Sequence, residues 1–74
     1  MLHARIDYMR IQDPAGLIPD NEPVFLLRAQ DRTAWIAVET WAALQPAGRA
    51  RNLALKQAEL MHKWPVKKTA DVPE

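Results

Sequence analysis

The chain lacks most of the residue types on which enzyme sites are built. It has no cysteine and no serine, and among its 74 residues there are only two glycines and two histidines. Without cysteine there is no disulfide and no thiolate metal ligand. Without serine or cysteine the commonest nucleophiles of covalent catalysis are missing. Gly16 and Gly48 stand too far apart to form a glycine-rich phosphate loop. We therefore expect a protein that is not an enzyme and uses no metal or cofactor.

Long apolar runs are also missing. The only four consecutive large apolar residues are residues 24–27, far fewer than a membrane span needs. Residues 1–7 lack the apolar segment of a signal peptide. We expect a soluble, intracellular protein without membrane contact. Its length predicts one domain, residues 1–68, followed by a flexible polar tail, residues 69–74.

The first half of the chain predicts strands. Residues 5–11 alternate between apolar and polar positions, which is typical of a strand with one solvated face. Asp13-Pro14-Ala15-Gly16 is a strong turn signal, and Leu17-Ile18 would be a short return arm of a hairpin. Residues 24–29 favour a buried central strand because their apolar run is continuous, with a short helix as the alternative.

The second half predicts two helices. Residues 32–45 carry apolar residues at helical spacing after Asp31, a good N-cap. This helix is apolar over a wide arc, so it is either sandwiched or exposes an apolar patch. Residues 49–64 form the second helix, which Pro65 ends. The predicted core stripes are Ala34, Ala37, Val38, Trp41 and Leu44, and Ala50, Leu53, Ala54, Leu60, Met61 and Trp64.

These elements predict an α+β fold. A small β-hairpin or three-stranded meander would be packed by a two-helix hairpin. Trp41 and Trp64 are assigned to the core, and Trp35 is the tryptophan expected to be exposed. His3 and His62 are interpreted as a terminal residue and a solvated helix-end residue.

Charge is divided unevenly along the chain, although the net charge is only +1. Residues 1–48 carry four basic and six acidic groups, whereas residues 49–68 carry six basic groups and one acidic group. The basic segment is either a solvated helix face with a linker, or a contact surface for nucleic acid or an acidic protein. A nucleic-acid-binding module would use the six cations Arg49, Arg51, Lys56, Lys63, Lys67 and Lys68.

Residues 18–31 carry the pattern I-P-x-x-E-P-x-F-x-x-R-A-x-D. This pattern is similar to a segment of small phage and prophage proteins, in which a short strand and turn precede it and an alanine-rich helix follows. The likeness extends over residues 5–45. With its length and cysteine-free single domain, the chain resembles the small transcription regulators of lytic phages that bind host RNA polymerase.

The resemblance implies a monomer in the host bacterial cytoplasm that binds the N-terminal region of the polymerase β′ subunit near the RNA exit channel. The β flap would be a second contact, and nascent RNA would pass close by. Such a protein inhibits initiation at host promoters and promotes antitermination. An inhibitor of another host or defence protein is the remaining alternative. From exposure and charge we predict these partner-binding residues: Arg5, Tyr8, Arg10, Trp35, Arg49, Arg51, Lys56, Lys63, Lys67 and Lys68.

Overall fold

A computed structural model describes residues 1–5 and 13–69 of the chain. In chain order the elements are β1 (Leu2–His3), β2 (Pro23–Val24), α1 (Ala34–Ala43) and α2 (Arg49–Lys63). β1 and β2 pair in parallel, with Leu2 opposite Pro23 and His3 opposite Val24. The predicted α+β class is confirmed at this level, whereas the described residues contain no three-stranded meander.

The predicted turn at Asp13 forms as expected. The Gly16 amide donates to the Asp13 carbonyl at 2.9 Å, and Gly16 has a φ of 63°, which glycine adopts without strain. The two Asp13 carboxylate oxygens accept the amides of Leu17 and Ile18 at 3.2 and 2.9 Å. Leu17 and Ile18 are not in a strand, so the predicted return arm is not observed among the described residues. The predicted strand over residues 5–11 lies outside the described residues except for Arg5.

The prediction of a buried strand over residues 24–29 was wrong. The strand ends at Val24, and Phe25 exposes 69% of its surface. β1 ends at His3, so the residues after Val24 have no described strand to pair with. The alternative of a short helix over these residues is not observed either.

α1 begins two residues later than predicted. Its N-cap is Thr33, and Asp31 accepts hydrogen bonds from the Thr33 amide and hydroxyl at 2.9 and 3.0 Å. Asp31 therefore forms a turn before the helix and is not its cap. α2 begins at Arg49, and its C-cap Trp64 is extended, as expected for the residue before Pro65.

The helices pack as a hairpin through small side chains. Among the described residues, the buried apolar side chains are Ala34 and Ala42 of α1 with Ala58 and Met61 of α2. The loop over residues 44–48 is short, which makes neighbouring helices antiparallel. Trp35, near the start of α1, accordingly stacks on His62, near the end of α2.

The predicted core stripes were right at Ala34 and Met61, which are buried, but were rotated relative to the observed ones at the larger residues. Trp41 and Leu44 of α1 and Leu53, Leu60 and Trp64 of α2 are exposed. Alanine allows two helices to approach more closely than leucine or tryptophan does, because helix separation depends on the side chains at the contact. The alanine sides of the two helices therefore face each other.

The segment after α2 closes the open end of the hairpin. The Lys68 amide donates to the Gln30 carbonyl at 2.5 Å, and the Arg32 amide donates to the Lys68 carbonyl at 3.1 Å. Asp31 and Lys68 thereby form an isolated parallel bridge. The bridge places residues 30–32 and residue 68 within the folded part of the chain. The predicted tail lies outside the described residues except for Thr69.

Candidate binding surface

The largest exposed apolar side chains of the hairpin lie on its two helices and their C-terminal ends. Trp41 is 50% exposed and Leu44 is 78% exposed. Leu53, Leu60 and Trp64 each expose more than half of their surface. Single exposed apolar residues are normal on a protein, but a contiguous group marks an interaction surface. The positions of these five side chains around their helices decide whether they form such a group.

The Trp35–His62 stack identifies the two sides of the hairpin. Its ring centroids are 3.9 Å apart, with an interplanar angle of 15°. At roughly 100° per residue, Trp41 and Leu44 fall on the flank of α1 opposite Trp35. By the same rotation, Leu53 and Leu60 fall on the flank of α2 opposite His62, and Trp64 follows α2 as its extended C-cap.

These five exposed residues therefore share one side of the hairpin, whereas the exposed residues Ile36 and Leu55 lie on the Trp35–His62 side. We call this surface the apolar face, and it consists of Trp41, Leu44, Leu53, Leu60 and Trp64. Its α2 portion, from Leu53 to Trp64, is about 17 Å long at a rise of roughly 1.5 Å per residue. Within α1 itself, the exposed large apolar residues are Ile36 and Trp41, and only Trp41 belongs to the apolar face.

A row of cations borders the apolar face. Arg49, Lys56 and Lys63 are seven residues apart, which is close to two helical turns, so they align along the edge of α2 directed away from α1. Leu53 and Leu60 lie three or four positions from members of this row and are their surface neighbours. The acidic residues of the helices, Glu39 and Glu59, lie toward the Trp35–His62 side. The apolar face is thus bordered by positive charge from α2 and by no acidic residue of either helix.

One cation of the row is paired. Lys63 Nζ lies 2.7 Å from Glu59 Oε1, and both side chains are well exposed. This hydrogen bond, with the charge of Lys63, lowers the pKa of the Glu59 carboxyl below its ordinary value. Arg49 and Lys56 have no ion-pair partner in the part of the chain that the structure describes. These two side chains are the more available to an outside anion.

Lys67, one of the predicted partner-binding residues, makes structural contacts within the chain. Its ammonium group donates to the Ala29 carbonyl at 3.0 Å and to the Met61 carbonyl at 2.5 Å. A cation near a helix C-terminus also interacts favourably with the partial negative charge there. Lys67 therefore connects the last turn of α2 to the segment before α1, and its charge is held within the protein.

The other predicted contacts are dispersed. Arg51 is half-buried, on the same side of α2 as the hairpin interface, and Lys68 is exposed beside its backbone bridge. Trp35 is half-buried in the ring stack and is not the most exposed tryptophan. Arg5 follows β1, whereas Tyr8 and Arg10 lie outside the described residues. The structure brings only Arg49, Lys56 and Lys63 together in one row.

The members of the apolar face were predicted to lie in the core, so their surface position was not foreseen. Each helix has two apolar stripes, one rich in alanine and one rich in leucine or tryptophan. The alanines at positions 34 and 42, eight residues apart, and at 54 and 58, four apart, were the available signal. Periodicity alone cannot choose between two such stripes.

The described residues were also compared with the donor sets that metal ions require. No group of three or more metal-ligating side chains comes together within residues 1–5 and 13–69. An open groove beside the strands is lined by Leu2, His3, Ala4, Pro23, Val24 and Phe25, mostly through apolar atoms. Neither described helix is long and apolar enough to cross a membrane.

No family model, no curated protein and no solved structure matches the chain.

Proposed function

We propose that this protein acts by binding another protein through the apolar face. The observation that carries the proposal is the unequal placement of side chains, with alanines inside the hairpin and leucines and tryptophans outside it. Exposing large apolar side chains forfeits the roughly 1.5–3 kcal/mol that burial of each would contribute. Covering them with a partner recovers that contribution, and tryptophan is among the residues that most often dominate interface energies.

We propose bacterial RNA polymerase as the partner. The support is the resemblance of residues 18–31 to a segment of small phage proteins and of the whole chain to phage transcription regulators. The proposed contact is the N-terminal region of β′ near the RNA exit channel, with the β flap as a second contact. The site of action would be the host bacterial cytoplasm, and the protein would bind as a monomer.

The proposed mechanism requires binding energy but no chemistry. A ligand shifts a conformational equilibrium only by its difference in affinity for the two states. A small protein that binds the elongating polymerase more tightly than the initiating or terminating enzyme would therefore disfavour both initiation and termination. This single difference accounts for inhibition of host promoters and for antitermination together.

Nucleic-acid binding is less well supported by the positions of the six basic residues. Lys67 is held by two backbone carbonyls, Lys63 is paired with Glu59, and Arg51 is half-buried. Only Arg49 and Lys56 remain in the row without such a partner, and two phosphate contacts give weak binding with a shallow salt dependence. The cations would contribute to a protein contact and lie close to nascent RNA.

Purified polymerase core enzymes from a panel of bacteria test the proposal. The tagged chain is immobilised, and polymerase binding is measured with three versions: wild type, Leu60→Gln and Leu55→Gln. Leu60 belongs to the apolar face, whereas Leu55 is an exposed leucine of the same helix on the Trp35–His62 side. We expect binding by wild type and Leu55→Gln and its loss in Leu60→Gln. Failure of the wild type to bind any of the enzymes would contradict the polymerase assignment.

A further inference from the structure

We infer that the apolar face accepts an amphipathic α-helix of the partner that carries acidic residues along one flank. The inference rests on the proposed protein-binding function and specifies the chemistry of the partner. It joins two observations, which are the apolar face and the row of cations along its α2 edge.

The shape of the apolar face fits a helix. Two packed helices present a shallow groove between their exposed flanks, and an amphipathic helix binds such a groove with residues at i, i+3, i+4 and i+7. The length of about 17 Å along α2 corresponds to roughly three turns of a bound helix. On the antiparallel hairpin, Trp41 and Leu44 stand at the end of α1, toward the Leu53 end of α2.

The positive charge along the α2 edge of the apolar face favours a partner helix with acidic residues on the facing flank. Arg49 and Lys56, the two cations of the row without an ion-pair partner among the described residues, are seven residues apart, which matches two carboxylates at the same spacing on an aligned helix. The α1 border supplies no charge on this side, because the only charged residue of α1, Glu39, lies toward Trp35. Complementary charge at the rim of an interface fixes orientation and excludes partners of the wrong sign.

A second copy of the chain does not meet these requirements. Glu39 and Glu59 lie toward the other side of the hairpin, and Glu59 is already bound to Lys63. Two copies joined through their apolar faces would therefore bring no helical carboxylate to either row of cations. An amphipathic segment of another protein with acidic residues would cover the apolar face and also place carboxylates beside the cations.

Three synthetic peptides test the inference on the full chain. The first is a helical peptide of about four turns with a leucine stripe and glutamates on one flank. The second replaces each glutamate with lysine, and the third has the composition of the first in an order without the stripe. Calorimetry measures their dissociation constants at low and high salt.

We expect the glutamate peptide to bind roughly tenfold or more tightly than the lysine peptide at low salt, with a smaller ratio at high salt. The reordered peptide should not bind measurably. Leu60→Gln should weaken the glutamate peptide by about tenfold, whereas Leu55→Gln should change its affinity by less than about twofold. Circular dichroism confirms that both variants are folded.

Several results would overturn the inference. They are absence of binding by the glutamate peptide, equal affinity for the lysine peptide, or equal loss in both leucine variants. Binding to vesicles of phosphatidylglycerol and phosphatidylcholine without peptide binding would indicate a membrane surface instead. A dimer in sedimentation that Leu60→Gln dissociates would indicate a second copy.

The polymerase assay separates this inference from the proposed function. Peptide binding without capture of any polymerase would contradict the polymerase assignment and leave the inference intact. Polymerase capture that Leu60→Gln does not weaken would contradict the inference and leave the polymerase assignment intact.

Discussion

The inner and outer sides of the helical hairpin carry side chains of opposite size. The inner side buries three alanines and one methionine, whereas the apolar face exposes leucines and tryptophans. A fold optimised for its own stability would bury the larger group, because each buried methylene contributes about 0.8 kcal/mol. This contrast is the basis of our proposal that the inner side serves folding and the apolar face serves association.

The largest expected effect is a difference in stability between alanine substitutions at two neighbouring residues of α2, Met61 and Leu60. Met61→Ala removes the one large side chain among the buried residues and should lower the free energy of unfolding by about 2–4 kcal/mol. Leu60→Ala should change it by about 0.5 kcal/mol or less, because Leu60 is already exposed. Urea denaturation followed by circular dichroism measures both values. Equal losses would mean that Leu60 supports the fold and would break the contrast.

Replacing a buried alanine with leucine tests the same difference between the inner side and the exposed surface of the hairpin. Ala58→Leu forces extra volume between the helices and should destabilise the protein by about 1–3 kcal/mol. Ala50→Leu is the matched change at an exposed position and should have little effect on stability. If Ala58→Leu proved neutral in the same denaturation assay, the helices would not approach through their alanines.

Lys67 and Lys68 provide an adjacent pair with different roles. Lys67→Met leaves the carbonyls of Ala29 and Met61 without their donor and should cost about 1–2 kcal/mol of stability. Lys68→Met should cost little, because Lys68 takes part in the bridge through its backbone. Hydrogen exchange of the Lys68 and Arg32 amides should accelerate only in Lys67→Met. Similar exchange rates in the two variants would show that the ammonium group does not hold the segment.

The smallest expected effect is the pH dependence of Glu59. Its pKa is lowered in the folded state by the hydrogen bond and charge of Lys63, so its contribution to stability is present above the unfolded pKa. The contribution is lost as pH falls through the lowered folded value. Glu59→Gln should remove this small acid-dependent component of unfolding, measured from pH 7 to pH 2. An unchanged pH profile would mean that the Glu59–Lys63 pair makes no measurable contribution to the free energy of unfolding, which is common for exposed ion pairs.

Local signals predicted the helices and the first turn. Helical spacing and Pro65 set the approximate bounds of α1 and α2, and Asp13 with Gly16 predicted the turn that forms. These features depend on residues close together in the chain, so a sequence contains them directly.

Long-range pairings were not predictable from the same signals. β1 and β2 pair across about twenty residues, and the Asp31–Lys68 bridge joins positions still further apart. Neither pairing has a local signature. Which of two apolar stripes a helix buries also depends on the partner helix, so Trp41 and Trp64 were placed in the core although both are exposed.

The three tryptophans allow one direct test of the central claim, which is that the apolar face makes the contact. The chain is labelled with 5-fluorotryptophan, which gives one fluorine resonance for each of Trp35, Trp41 and Trp64. Fluorine NMR spectra are recorded as the glutamate peptide is added. The resonances of Trp41 and Trp64 should shift, whereas that of Trp35, stacked on His62 on the other side, should stay in place. A shift of Trp35 alone, or three unchanged resonances in a mixture where calorimetry detects binding, would contradict the claim.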